Sequence, residues 1–280
     1  MLGKKAIEEA SEAGFTSHLF TVPKKTADLR PVLNLRPLNK FIPRRAFKME
    51  TMVQVCRMVK KGDWMTSIDL QDAFLHILVH PSSRRFLQFQ WNGTQYQFRV
   101  LPFGLSLSPL LFTKILKPVL TWARKKGIRV SAYLDDLIIL ASSVEESQQH
   151  TRMLQDKLQE LGFLIKDAKS TLTPTQRIDH LGFTIDTTAM TLSVPRAKVR
   201  DIRREANKLL RLGETSLRRL SAFIGKAMAM LAAVFPARLQ TRRLTQLLNS
   251  ALKTCSWTDL VKFTDTARQE LQWWSSSLQK

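Results

Sequence analysis

The sequence predicts an α+β chain in two parts, a strand-and-helix region over residues 1–190 and a smaller helical region over 191–280. Three observations predict this division. Short β-branched and aromatic runs alternate with helical ones up to about residue 190, and from Pro195 onward a 3.6-residue apolar period takes over. Charge also shifts along the chain: residues 191–280 carry 17 Lys+Arg against 6 Asp+Glu, whereas residues 1–190 carry 27 against 17.

In the first part, Leu19-Phe20-Thr21-Val22 and Arg30-Pro31-Val32-Leu33-Asn34-Leu35 read as strands around the polar turn Lys24-Lys25-Thr26-Ala27-Asp28. Residues 48–60 read as a helix and Trp64-Met65-Thr66-Ser67-Ile68-Asp69-Leu70 as a buried strand. Two strands, 86–91 and 94–99, flank Asn92-Gly93, the pair that a two-residue hairpin turn favours. A helix opens at Pro109 with Ser108 as its cap, and Pro118 inside it predicts a kink or an early end. Ile128-Arg129-Val130-Ser131-Ala132 and Leu137-Ile138-Ile139-Leu140-Ala141 form a hairpin around Tyr133-Leu134-Asp135-Asp136. Residues 147–161 are an amphipathic helix stopped by Gly162, followed by strands at 163–165 and 181–185. In the second part, helices begin at Pro195, near Thr215, after Pro236 and near Thr258, and together make a basic helical bundle.

With 44% hydrophobic residues the chain is globular, and no apolar run reaches the length of a membrane span. The N-terminus lacks the apolar stretch of a secretory signal, so an intracellular protein, cytoplasmic or nuclear and not secreted, is expected. Cys56 and Cys255 have no metal-type spacing and receive no function. The net charge of +21 points to a polyanion, with nucleic acid the leading candidate.

The chemistry concentrates in three acids. Asp69 ends a predicted buried strand, where a carboxylate is costly unless a cation or donors meet it. Asp135 and Asp136 occupy a hairpin tip that carries no Gly or Asn. Acids from a strand end and a hairpin tip can face each other across neighbouring strands and supply hard oxygen ligands to Mg²⁺. Because side chains alternate along a strand, one of the pair is expected to bind metal fully and the other to assist, with Asp135 the full ligand. The same residues also read as a helix-capping Asp69 beside an exposed acidic turn; taken alone, they leave both readings open.

The blocks Val22-Pro23-Lys24-Lys25, residues 30–39, Asp69-Leu70-Gln71-Asp72-Ala73-Phe74, Leu101-Pro102-Phe103-Gly104-Leu105, Tyr133-Leu134-Asp135-Asp136 and Leu181-Gly182-Phe183 occur in an order that resembles retroelement reverse transcriptases over nearly the whole chain. Asp72-Ala73-Phe74-Leu75-His76-Ile77, His80-Pro81 and Glu270-Leu271-Gln272-Trp273-Trp274 look most like tyrosine-recombinase (DIRS-type) retrotransposons, relatives of the gypsy-like LTR elements.

The resemblance implies a right-hand polymerase, with fingers and palm in residues 1–190 and a helical thumb or connection region in 191–280. It implies that Asp69, Asp135 and Asp136 form the metal-binding triad, with the Leu70 carbonyl as a further ligand, for two Mg²⁺ ions or Mn²⁺ as a substitute. Lys24 and Arg30 fall where the fingers meet the nucleotide triphosphate, and Phe74 at the sugar-discriminating position. Phe103, where retroviral enzymes commonly carry Gln, and Gly104 fall in the nucleotide or template segment. Lys169 falls where nucleotide or primer is touched. Leu181, Gly182 and Phe183 match the segment near the primer 3′ end, which Tyr133 also shapes.

His76 and His80 read as structural, and Trp273 and Trp274 as packing residues. The implied activity is RNA- and DNA-directed DNA synthesis from dNTPs on a primed template. The alternative is a catalytically silent nucleic-acid-binding protein derived from such an element. No ribonuclease H carboxylate cluster is legible in 191–280, so that domain is expected elsewhere in a larger polyprotein.

Overall fold

The computed structural model describes residues 1–23, 29–43 and 45–279, the side chain of Gln279 excepted; the predicted 24–28 turn, with Lys24, lies outside the described residues. Two compact units emerge, Met1–Thr175 and Gln176–Lys280. The division precedes the expected 190/191 boundary because the strands after Thr175 pair only with one another.

The first unit contains, in order, β1 (Ile7–Glu9), β2 (Leu19–Pro23), β3 (Leu29–Leu33), α1 (Arg36–Asn39), α2 (Met52–Met58), β4 (Trp64–Asp69), α3 (Pro81–Arg84), β5 (Gln88–Trp91), β6 (Thr94–Phe98), α4 (Ser108–Lys125), β7 (Arg129–Tyr133), β8 (Asp136–Ala141), α5 (Val144–Glu160) and β9 (Thr171–Thr175). An antiparallel sheet of order β7-β8-β4-β9 forms its centre. Leu137, Ile138, Ile139, Leu140 and Ala141 of β8 are all fully buried. One face of that sheet packs with Leu116, Leu120 and Ala123 of α4 and Leu154 and Leu158 of α5. A second sheet, β1-β6-β5, gathers a separate core around Ile7, Leu33, Phe89 and Phe98.

Several expectations shift. Helix α4 runs through Pro118 to Lys125 without ending, because its buried face from Leu110 to Ala123 holds both halves in the core. Helix α5 starts at Val144, earlier than the apolar period suggested, since Ser143 caps it by accepting from the Glu146 amide at 3.1 Å. The 48–60 helix shortens to α2, set by a Thr51/Gln54 capping box. The expected strand at 163–165 is reduced to one bridge between Leu70 and Ile165, because the Leu164 amide donates to Nε2 of His76 at 3.1 Å. Cys56 and Cys255 are both free and exposed.

The second unit begins with the antiparallel sheet β10 (Arg177–His180), β11 (Phe183–Asp186) and β12 (Thr191–Ser193). Leu181 and Gly182, expected within a strand, instead make the turn between β10 and β11, with φ of 48° and 77°. Then follow α6 (Arg196–Leu212), β13 (Glu214–Ser216), α7 (Leu217–Met228), α8 (Arg242–Ala251), β14 (Leu260–Lys262) and α9 (Asp265–Ser276). The last helix starts later than Thr258 because Leu260–Lys262 pairs with β13 and Thr264 provides the cap. Ile202, Leu209, Phe223, Leu244, Leu271 and Trp274 share one core. Trp274 donates to the Gln240 carbonyl at 2.7 Å, and the buried Glu270 accepts from the Arg243 and Leu244 amides at the start of α8. The negative carboxylate sits where the helix presents unpaired N–H groups.

His180 is the cost of that small sheet. Its ring is buried, Nε2 meets no hydrogen-bond partner among the described residues, and burial pushes its pKa down from 6.5 to about 4. The folded value lies below the unfolded one, so the stabilisation is complete above pH 6.5 and is lost as pH falls toward 4. In urea unfolding of the full chain, wild type should lose about 2–3 kcal/mol relative to His180→Leu between pH 6.5 and 4. A difference independent of pH would show that the ring is not held neutral.

Candidate active site

Asp69 closes β4 and Asp136 opens β8, and the two are cross-strand partners in the antiparallel ladder. Asp136 also pairs with Tyr133 of β7, so the hairpin tip is only the two residues Leu134 and Asp135. The Leu70 amide donates to the Asp135 carbonyl at 2.9 Å, locking the tip to the end of β4. All three acids are half-buried. Burial raises the Asp69 pKa, opposed by Lys169 and Lys166 and reinforced by Asp135. Burial pushes Asp136 up to about 6, helped by the charges of Asp135 and Asp69 and by a hydrogen bond to Asp69. The Asp136 carboxyl is therefore the proton donor of that pair at mildly acidic pH.

A cavity of about 300 Å³ opens over this ladder end. Its walls include Asp69, Leu70, Asp135, Phe74, Phe103 and Arg30, with Lys4, Lys166 and Lys169 supplying further positive charge; Asp136 and Tyr133 are not on the wall. The Leu70 carbonyl meets no donor among the described residues. Among the described residues, no three His, Cys, Asp or Glu side chains already stand at metal-holding spacing. Asp72, also on the wall, is taken by Lys4; the Asp69 and Asp135 carboxylates with the free Leu70 carbonyl nevertheless match the chemistry of Mg²⁺, which takes one or two protein carboxylates and completes its shell with substrate phosphates and water. The acids are thus neither a helix cap nor an exposed turn.

Arg30 is exposed on β3, its guanidinium carbon 4.7 Å from the centre of the Phe103 ring. Phe74 lies in the short turn Ala73–His76, 5.2 Å from Phe103 and 5.8 Å from the buried Phe112. Gly104, at φ +106°, is not on the cavity wall; a Cβ there would overlap the Leu33 carbonyl oxygen. Its backbone approaches β3 closely, and Asn39 braces the same loop through the Gly104 carbonyl at 2.9 Å and the Ser106 amide at 3.0 Å. Lys24 lies outside the described residues.

Leu181, Gly182 and Phe183 fall in the second unit, where Lys198 donates to the Gly182 carbonyl at 3.0 Å. His76 bridges the Ala73 carbonyl and the Leu164 amide, and His80 precedes α3 with its ring 2.8 Å from Ser82; both are structural.

Three contributors escaped the sequence reading. Lys4 reaches the cavity from the N-terminal segment, 2.6 Å from Asp72, and no local pattern marks it. Lys166 stands three residues before Lys169, a spacing that could have been noticed. Glu50 accepts from the Ser131 hydroxyl at 2.6 Å and the Ala132 amide at 3.2 Å, bracing the open edge of β7.

Comparison with known proteins agrees with this geometry. Residues 22–185, more than half of the chain, match the family model described as reverse transcriptase (RNA-dependent DNA polymerase). The Pro-Pol polyprotein of Feline foamy virus is 31% identical over 183 residues, which is 65% of this chain and 15% of that protein. The Transposon Tf2-3 polyprotein of Schizosaccharomyces pombe is 27% identical over 166 residues, 59% of this chain and 12% of that protein. The chain thus spans less than a sixth of these curated relatives. Foamy viral protease-reverse transcriptase superposes with a TM-score of 0.78 in its complex with double-stranded DNA (20% identity, 99% of this chain, 46% of that one). In its complex with an RNA/DNA hybrid the TM-score is 0.77 (22% identity, 99% and 35%). The fold is that of a right-hand polymerase, and the chain belongs to the reverse transcriptase family.

Proposed function

We propose that this chain is an RNA- and DNA-directed DNA polymerase in which a primer 3′-hydroxyl attacks the α-phosphate of a dNTP and pyrophosphate leaves. The convergence of Asp69, Leu70 and Asp135 on one cation-rimmed cavity carries this reading. Two Mg²⁺ ions, or Mn²⁺ in their place, held there would stabilise the attacking and leaving oxygens. Asp136, behind the wall, orients Asp69 through their shared hydrogen bond. Arg30, Lys166, Lys169 and Lys4 neutralise the triphosphate, with Lys24 as a further expected contact. Phe74 offers an aromatic floor that would clash with a ribose 2′-hydroxyl. Tyr133, Leu181, Gly182 and Phe183 serve the primer terminus, and the basic residues of the second unit hold phosphates of the primer-template duplex.

We assign fingers and palm to residues 1–190 and thumb to 191–280. Among the described residues no helix is long and apolar enough to cross a membrane. The chain acts inside the cell, in cytoplasm or nucleus, as part of a polyprotein that carries ribonuclease H. Its placement beside DIRS-type retrotransposons rests on the wording around Asp72, His80 and Trp273-Trp274.

Extension of oligo(dT) on poly(rA) with Mg²⁺ tests the activity. Wild type should incorporate dTTP, and Asp135→Asn should lower kcat by at least about 10³-fold with template affinity nearly unchanged. Retained template binding with no synthesis by the wild type would favour a silent binding protein.

Stability without metal gives a second test. The folded Asp136 pKa lies above its unfolded value of 3.8, so the destabilisation is full above about pH 6 and disappears as pH falls toward 4. In EDTA, Asp136→Asn should melt above wild type at pH 8, with the gap closing by pH 4. Equal melting temperatures at pH 8 would mean that no charge is strained there.

A further inference from the structure

The Phe103 side chain cannot offer a hydrogen bond to a nucleotide, yet the residue stands on the wall of the proposed nucleotide cavity. Its surroundings give it another task. Arg30 is an exposed arginine on a short strand, and none of the ion pairs among the described residues includes it. What fixes this long side chain is the Phe103 ring, 4.7 Å from its guanidinium carbon. The main chain reinforces the contact: the Leu33 amide donates to the Phe103 carbonyl at 3.0 Å, and Gly104 packs against the Leu33 carbonyl so closely that no Cβ fits. The strand that carries Arg30 is therefore clamped to the segment that carries Phe103. The same ring lies 5.2 Å from Phe74, which lies 5.8 Å from Phe112, itself fully buried and 6.1 Å from Phe163. A continuous series of rings leads from the core to the guanidinium.

We propose that Phe103 is a positioning residue that holds Arg30 for the nucleotide's phosphates and Phe74 for its sugar, so that one side chain couples triphosphate binding to sugar selection. The proposal rests on the polymerase reading and deepens it. A smaller aliphatic residue at 103 frees the guanidinium and lets the Phe74 ring relax toward the vacated space. A tyrosine keeps both ring contacts. Lysine at position 30 keeps the charge but not the guanidinium over the ring.

The test uses the full chain on poly(rA)/oligo(dT), comparing wild type, Phe103→Leu, Phe103→Tyr, Arg30→Lys and the Arg30→Lys/Phe103→Leu double variant. Measured are kcat and KM for dTTP, incorporation of the ribonucleotide counterpart, and primer-template Kd. Phe103→Leu should raise KM for dTTP about three- to thirtyfold with kcat changed far less. It should also weaken discrimination against the ribonucleotide, while primer-template Kd stays at the wild-type value. Phe103→Tyr should restore both properties. The KM effects of Arg30→Lys and Phe103→Leu should be less than multiplicative in the double variant, since they remove one shared contact.

An active wild type with an unaltered KM and sugar preference in Phe103→Leu would overturn this inference and leave the polymerase reading intact. Parallel losses of kcat, template affinity and melting temperature that tyrosine does not restore would also overturn it, reducing Phe103 to core. A wild type that extends no primer would overturn the polymerase reading itself, and the inference with it.

Discussion

Asp69 and Asp136 are cross-strand partners at the end of a ladder in which β8 is apolar and fully buried from Leu137 to Ala141, and that pairing sets the position of the carboxylates at the site. Side chains alternate along a strand, so a slip of one residue in β8 would set Leu137 opposite Asp69 and turn the acid away from its partner. The register is held where burial is greatest. Leu137 to Ala141 are inaccessible to solvent, and each Leu or Ile buried there stabilises the fold by roughly 1.5–3 kcal/mol. The edges are secured separately. Asp63 is buried and takes Arg129 of β7 in a two-pronged pair at 2.7 Å, while Glu50 accepts from the β7 backbone and the Ser131 hydroxyl. An apolar strand between braced neighbours carries the strained acids at its end.

Electrostatics at that end work against the metal-free fold. Three carboxylates share a partly desolvated corner, and the raised pKa values of Asp69 and Asp136 record the conflict. Lys169 and Lys166 relieve it in part and arrive from the segment joined to β4 through the Leu70–Ile165 bridge. Arg30 and Lys4 complete a positive rim drawn from segments far apart in sequence. A negative floor under a positive rim is a charge arrangement that suits a divalent cation below and a polyphosphate above.

The floor of the site was legible in sequence because its pieces are local. A buried strand ending in Asp69 and a hairpin carrying Asp135 and Asp136 are each written in short patterns, and antiparallel pairing brings them together. The Asn92-Gly93 hairpin and the α6 period were legible for the same reason. What escaped depends on tertiary context. Pro118 reads as a kink or an early end until the core on both sides of it is seen, and Lys4 joins the cavity through a long-range ion pair with Asp72. The approach of the β3 carbonyl of Leu33 to Gly104 is likewise invisible in sequence. The break after residue 175 was not legible either, because the sheet β10-β11-β12 pairs only with itself, which composition does not reveal.

Leu134 shows why the hairpin tolerates poor turn chemistry. A two-residue hairpin loop with positive φ at its first position favours glycine, yet Leu134 adopts φ 55° there, at a cost on the order of 1–2 kcal/mol. Glycine would remove the strain but also the side chain, and the Leu134 side chain packs against the core that α4 and α5 share with the sheet. The leucine thus acts as an anchor that fixes the tip against the body of the unit, with the Leu70 amide holding the next carbonyl from the other side. A tip pinned at two points keeps the Asp135 backbone beside Asp69 and Asp136 despite their mutual repulsion. The local strain and the electrostatic strain have one origin: a pinned tip that keeps the three carboxylates close together.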